Sequence, residues 1–326
     1  MNMMKRNEKI AVMYLLGLLL CIFCLTMLML IQGFAKVVYL AIWMLTALQA
    51  AGLIWYLHEE KTPKNKLFRL LLKLNHLTCL VTVFAAVYLF LTMAAQFHTV
   101  LTPDAEGDIS ALDMNAVENA ENCYVFQTDE LYLLFPQYKE IRFVYDKCPS
   151  MKDTSLTMFA TSAFFHTYEL TSHHENVVGA HASDGVYYDG AAEKNLSAFT
   201  FYDGKAHFTL EDPDEAIRTA AEHGGEGFEQ FMAIWEGEKT RDILSKRRCW
   251  RIMAELNGRV CLIESRAIME YPDFISKVQE LGVKTAIYLD MGAHSSYSKY
   301  RNNNGEVINL FGKRGEFAHT WVAFYK

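Results

Sequence analysis

The chain has 326 residues, 31 Lys and Arg against 38 Asp and Glu, and a formal charge of −7. Its composition is uneven, and so is its charge: nine Lys and Arg stand against three Asp and Glu up to Phe97, and 22 against 35 beyond it. The acidic second part argues against nucleic acid, whose phosphates need a basic face.

Residues 10–34 form an unbroken apolar run of bilayer length behind Lys5, Arg6 and Lys9. A signal peptide has a shorter core and a small-residue cleavage site, whereas this run passes straight into a second one at 37–57. It therefore reads as retained. A third run covers 74–95, after the basic stretch from Lys61 to Lys73. Buried core helices of a soluble protein would show charged faces, which these three lack. Residues 1–97 are thus expected to be a multi-pass membrane anchor. The N-terminus and the 61–73 stretch are basic, while the turn between the first two runs has only Lys36. The positive-inside rule puts both basic segments in the cytoplasm and the remainder of the chain outside.

Residues 98–122 are polar, hold Pro103 and Gly107, and read as a linker with a short helix. The globular domain is expected over 123–326. Strand-like runs follow at 124–126, 131–135, 141–145 and 156–165. A helix is expected at 211–223, with Pro213 in its first turn. The 228–235 stretch suits a strand or a short helix. A hairpin covers 250–263, turning at Asn257-Gly258, a pair that tolerates the positive φ of a type I′ turn. An amphipathic helix at 272–281 leads into a short buried strand at 285–289, and 320–325 is the final strand. This order predicts an α+β fold: a mixed or antiparallel sheet with flanking helices, preceded by three transmembrane helices.

Seven cysteines make no disulfide framework at this length, and no CxxC spacing is present. A Cys123–Cys148 bridge is compatible with the sequence but does not follow from it.

Four places concentrate functional groups. The first is the run Thr161, Ser162, Ala163, Phe164, Phe165 and His166, where small residues at a strand end let a ligand approach the backbone. The second is the 178–185 stretch, with His181 and an Asp184-Gly185 turn signal. With His166, His173 and His174 it makes a histidine-rich neighbourhood, but no HExxH spacing supports zinc. The third is the cluster Arg247, Arg248 and Arg251. Strand alternation sets Arg248 and Arg251 on opposite faces, and an inward Arg would match a phosphate or carboxylate bidentately. The fourth is the loop Asp290 to Ser296, where a carboxylate, an imidazole (His294) and hydroxyls, including that of Ser295, follow an apolar strand. Each place also suits an ordinary strand end or turn.

In this order, the motifs resemble the phosphodiester glycosidase domain family. ATSAFF at 160–165 stands at the family's INGGFF-like strand end, and GAHASDG at 179–185 at its Asp-Gly turn. RIMAELNGRVCLIES at 251–265 resembles the Arg-containing hairpin. LGVKTAIYLDMGAHSS at 281–296 resembles the LDGGGSS-like loop, and GEVINLFG at 305–312 the tail. The resemblance covers roughly residues 124–326. Thr161, Ser162 and Ala163 replace the Asn and two Gly of the first motif; Met291, Ala293 and His294 interrupt the last.

With the membrane-anchored, extracytoplasmic placement read from the apolar runs, the resemblance implies a hydrolase; no cofactor and no metal ligand is expected. Its substrate would be a sugar-1-phosphodiester in a surface glycopolymer or glycolipid. Arg251 would clamp the phosphate, with Arg248 in reserve, and Asp290 would be the catalytic carboxylate beside His294. Thr161, Ser162, His166, Gly292 and Ser295 would line the pocket, and Asp184 would fix a turn next to it. Because side chains replace bare backbone in two motifs, the usual hydrolysis, a shifted substrate and glycan binding without catalysis all remain open.

Overall fold

The computed structural model describes residues 101–166, 174–243, 246–247, 250–291, 298–311 and 318–326. All belong to the second of the chain's two units, Thr99–Lys326. The three expected spans, and the candidate residues Arg248, Gly292, His294 and Ser295, lie outside the described residues, as does His173. Among the described residues, no helix is long and apolar enough to cross a membrane.

The fold is mixed α+β and mostly sheet. Eight strands make the largest sheet, in the order Ala105–Glu106, Cys123–Gln127, Leu131–Pro136, Arg259–Ser265, Arg251–Leu256, Thr285–Tyr288, Met232–Trp235 and Glu238–Lys239. Its neighbours are antiparallel except at the Ala105 edge, which runs parallel to Cys123–Gln127. A five-stranded sheet follows the order Val307–Phe311, Ser298–Arg301, Leu156–Thr161, Thr320–Tyr325 and Glu140–Tyr145. A second five-stranded sheet is ordered Val186–Tyr188, His181–Ser183, Glu226–Gln230, Ser197–Tyr202 and Lys205–Thr209.

Alternation along the strands sorts the core into layers. Ile252, Ala254 and Leu256 join Phe126, Leu133 and Ile263 on the face of the large sheet that packs against helices. Met253 and Leu262 point the other way and meet Met158, Phe228 and Val322 of the smaller sheets. Helices α1 (Met114–Glu118) and α3 (Tyr271–Glu280) belong to the first layer, and α2 (Pro213–Glu222) lies on the His181-containing sheet. The α3 helix buries Tyr271, Phe274, Ile275 and Val278, one helical stripe, and ends where Gly282 takes φ +81°. Each such buried side chain contributes about 1.5–3 kcal/mol through lost apolar surface.

Three expectations change. The short helix expected in 98–122 is α1, but residues 101–122 also pack onto the domain, because Ala105–Glu106 pairs with Phe126 and Gln127 and Val117 of α1 is fully buried. The 156–165 run leaves its sheet after Thr161, where the next backbone groups are taken up by Asp290 and Thr320. The 228–235 run is two strands in two different sheets, Glu226–Gln230 and Met232–Trp235. The chain switches at Phe231, whose N–H donates to Gln230 Oε1 at 2.9 Å and whose carbonyl accepts from the Tyr288 N–H at 2.8 Å. Cys123, Cys148 and Cys261 are free thiols, so no Cys123–Cys148 bridge forms.

Candidate functional site

Three strand ends meet at one place, and each contributes a residue singled out in the sequence. The Thr161 hydroxyl donates to the Asp290 carbonyl at 2.8 Å. The Asp290 N–H donates to the Ser162 carbonyl at 2.9 Å, and Gln230 Nε2 donates to the same carbonyl at 3.4 Å. One residue earlier, the Leu289 N–H donates to the Arg251 carbonyl at 3.2 Å. Thr161, Ser162, Arg251 and Asp290 are thus tied together, and all are buried, Asp290 being 7% exposed. The strand alternation that aims Met253 at the inter-sheet core aims Arg251 there too.

The surroundings of Arg251 change the role expected for it. Its side chain is 0% exposed; Nε lies 2.5 Å from Glu264 Oε1, and Nη2 donates to Ser298 Oγ at 2.6 Å. Glu264 lies on the partner strand of the hairpin, and Ser298 belongs to the five-stranded sheet, where it pairs with Ala160. Arg251 therefore bridges two sheets with its charge matched inside the protein, which suits it to positioning the strand ends rather than clamping a substrate phosphate. Among the described residues its Nη1 has no hydrogen-bond partner, and neither does the buried Ser162 Oγ.

Neither Glu264 nor Ser298 was expected from the sequence. Glu264 had a signal: counting outward from the two-residue Asn257-Gly258 turn, six steps set Arg251 opposite Glu264, as observed. Ser298 had none, because its position depends on how the two sheets pack.

Two other candidates fall outside this set of contacts. Asp184 is exposed, in a hairpin turn at φ +51° with Gly185 at +71°, and its N–H donates to Glu226 Oε1 at 2.9 Å. Glu226 also accepts from the Phe143 N–H at 3.0 Å, and burial pushes its carboxyl up to about 7. His166 is exposed, with its N–H donating to the Asn176 carbonyl at 2.8 Å.

The histidine neighbourhood is a stack. His174 lies between the rings of Tyr145 and Tyr188, with centroids 3.9 and 3.7 Å away, and His174 Nδ1 is 2.7 Å from His181 Nε2. Burial, reinforced by His174, lowers His181 to about 4, and burial lowers His174 as well. Among the described residues, no group of three or more His, Cys, Asp or Glu is placed to hold a metal ion.

No protein family model matches the chain. No curated protein matches it either. Among solved structures, it is similar to the catalytic domain of zebrafish N-acetylglucosamine-1-phosphodiester alpha-N-acetylglucosaminidase, auto-inhibited by its pro-peptide. The identity is 11% and the TM-score 0.44, over 63% of this chain and 82% of that one. At that identity and score, no site residue carries over from one protein to the other.

Proposed function

We propose that the Thr99–Lys326 unit is a glycosidase-type hydrolase. Its substrate is a sugar-1-phosphodiester in a surface glycopolymer or glycolipid, and the bond cleaved joins the anomeric carbon to phosphate. One observation carries the reading: the first and last sequence motifs, far apart in the chain, are joined by the paired hydrogen bonds between Asp290 and Thr161-Ser162. In the proposed reaction Asp290 is the carboxylate at the anomeric carbon, water supplies the new hydroxyl, and phosphate leaves as a stabilised anion. Arg251 holds the strand ends in register through Glu264 and Ser298. His294, Ser295 and Gly292 complete the pocket, and the three apolar runs of residues 1–97 anchor the unit at the outer surface of a membrane.

The test is release of free sugar from a sugar-1-phosphodiester by the purified full chain. Asp290→Ala is expected to slow release by about 100-fold or more, the usual contribution of a general acid or base. Equal turnover by the variant, or none by either protein, would overturn the assignment.

A second reading, glycan binding without chemistry, is favoured by the pairing of Arg251 with Glu264, which leaves that guanidinium matched inside the protein. It predicts glycan retention that survives Asp290→Ala with no sugar released by the unmodified protein.

A further inference from the structure

Beside the strand-end site lies a second arginine with a different environment. Arg241 follows the Glu238–Lys239 edge strand, and its guanidinium carbon sits 3.6 Å from the centre of the Phe231 ring. Phe231 is the residue at which the chain changes sheets, next to Gln230, whose amide reaches the Ser162 carbonyl. The Phe231 ring meets Phe164 edge-on at 5.4 Å, and Phe164 lies 5.8 Å from Tyr288. Phe164 and Tyr288 each stand two residues from a partner in the Ser162–Asp290 hydrogen bond, so the Arg241–Phe231 stack borders the site on that side.

The charge of Arg241 is unspent. It forms no ion pair among the described residues, and the neighbouring Asp242 is engaged by Lys239. Arg241 Nη1 is buried without a hydrogen-bond partner among the described residues. So is the hydroxyl of Tyr271, a residue 0% exposed and within reach of the Arg241 charge. Buried donors are almost always satisfied in native proteins, and an unsatisfied one points to an acceptor supplied from elsewhere. A guanidinium centred over an aromatic ring still has N–H groups that can donate to a tetrahedral oxyanion. Arg251 is different, since Glu264 already answers its charge.

We propose that Arg241, held on the Phe231 ring, is the phosphate-binding residue beside the Ser162–Asp290 site. The assignment of the anion as a substrate phosphate rests on the hydrolase reading; the anion subsite itself does not.

The two are separated by titrating the full chain, purified in a mild detergent, with inorganic phosphate at low ionic strength. The expected result is saturable binding that Arg241→Gln weakens roughly tenfold or more, as loss of a charge-assisted contact should. Arg241→Lys, which keeps the charge and loses the planar edge, should weaken binding and serves as the reading if the Gln variant loses its thermal transition. Absence of saturable binding by the wild type, or unchanged affinity in a folded Arg241 variant, would overturn the proposal. Phosphate binding that depends on Arg241 in a protein that releases no sugar would keep the anion subsite and remove only the hydrolase reading.

Discussion

Arg251 and Glu264 are the residues on which the geometry of the site most depends. Two opposite charges taken out of water gain little net stability as a pair, but removing one partner strands the other in the core. Arg251→Leu should therefore destabilise the Thr99–Lys326 unit by about 3–5 kcal/mol, read as a shift in the urea midpoint. The double variant Arg251→Leu with Glu264→Leu should recover most of that loss, because no uncompensated charge is left. A double variant as unstable as the single one would show that the pair's contacts, and not the stranded charge, set the cost. Both Asp290 and Thr161 were legible in the sequence as polar groups at apolar strand ends. Arg241 was not: its cation–π contact with Phe231 comes from the hairpin that pairs Met232–Trp235 with Glu238–Lys239, whose second strand has only two residues and leaves no periodic pattern to read.

At the scale of elements, the hairpin Arg251–Leu256 with Arg259–Ser265 does the aligning. Asn257 at φ +52° and Gly258 at φ +75° make the turn, and the two-residue loop fixes which residues face each other across it. Ala at Gly258 meets no atom within 4 Å, so the expected cost is conformational alone. Gly258→Ala should lower stability by about 1–2 kcal/mol, as a thermal or urea shift with the fold intact. An unchanged midpoint would mean that the turn relaxes without strain. This hairpin, α3 and the final strand Thr320–Tyr325 were readable from periodicity and turn chemistry. Apart from the 228–230 part of Glu226–Gln230, the strands of the His181-containing sheet were not. They are short, and Glu226 and Glu229 lie at buried positions within it, which masks the apolar pattern.

Those carboxylates matter at the scale of the whole unit. Burial pushes both Glu226 and Glu229 up to about 7. Between about pH 4.5 and 7 the folded protein therefore holds protons that the unfolded chain has lost, so these groups make stability fall as pH rises through that window. The imidazoles work in the opposite sense. His181, lowered to about 4, and His174, also lowered, favour the fold above about 6.5, and that contribution is lost as pH falls toward 4. Because the slopes oppose each other, a single-site comparison is the clean measurement. Glu229→Gln should stabilise the unit by on the order of 1–3 kcal/mol at pH 8, with the gain vanishing below about pH 4.5. A gain independent of pH would remove the buried carboxylate as its cause.

Local rules were enough for much of this molecule: the charge division at Phe97, the apolar runs before it, the α+β class, the hairpin register and the polar strand ends at Thr161 and Asp290. These follow from side-chain periodicity and turn chemistry, which act over a few residues. The packing of sheets decided the rest. It split 228–235 between two sheets at Phe231, matched Arg251 to Ser298 across an interface, and joined Thr161 and Ser162 to Asp290. Such contacts join residues tens to hundreds of positions apart, and nothing in local hydropathy or backbone preference encodes their distance.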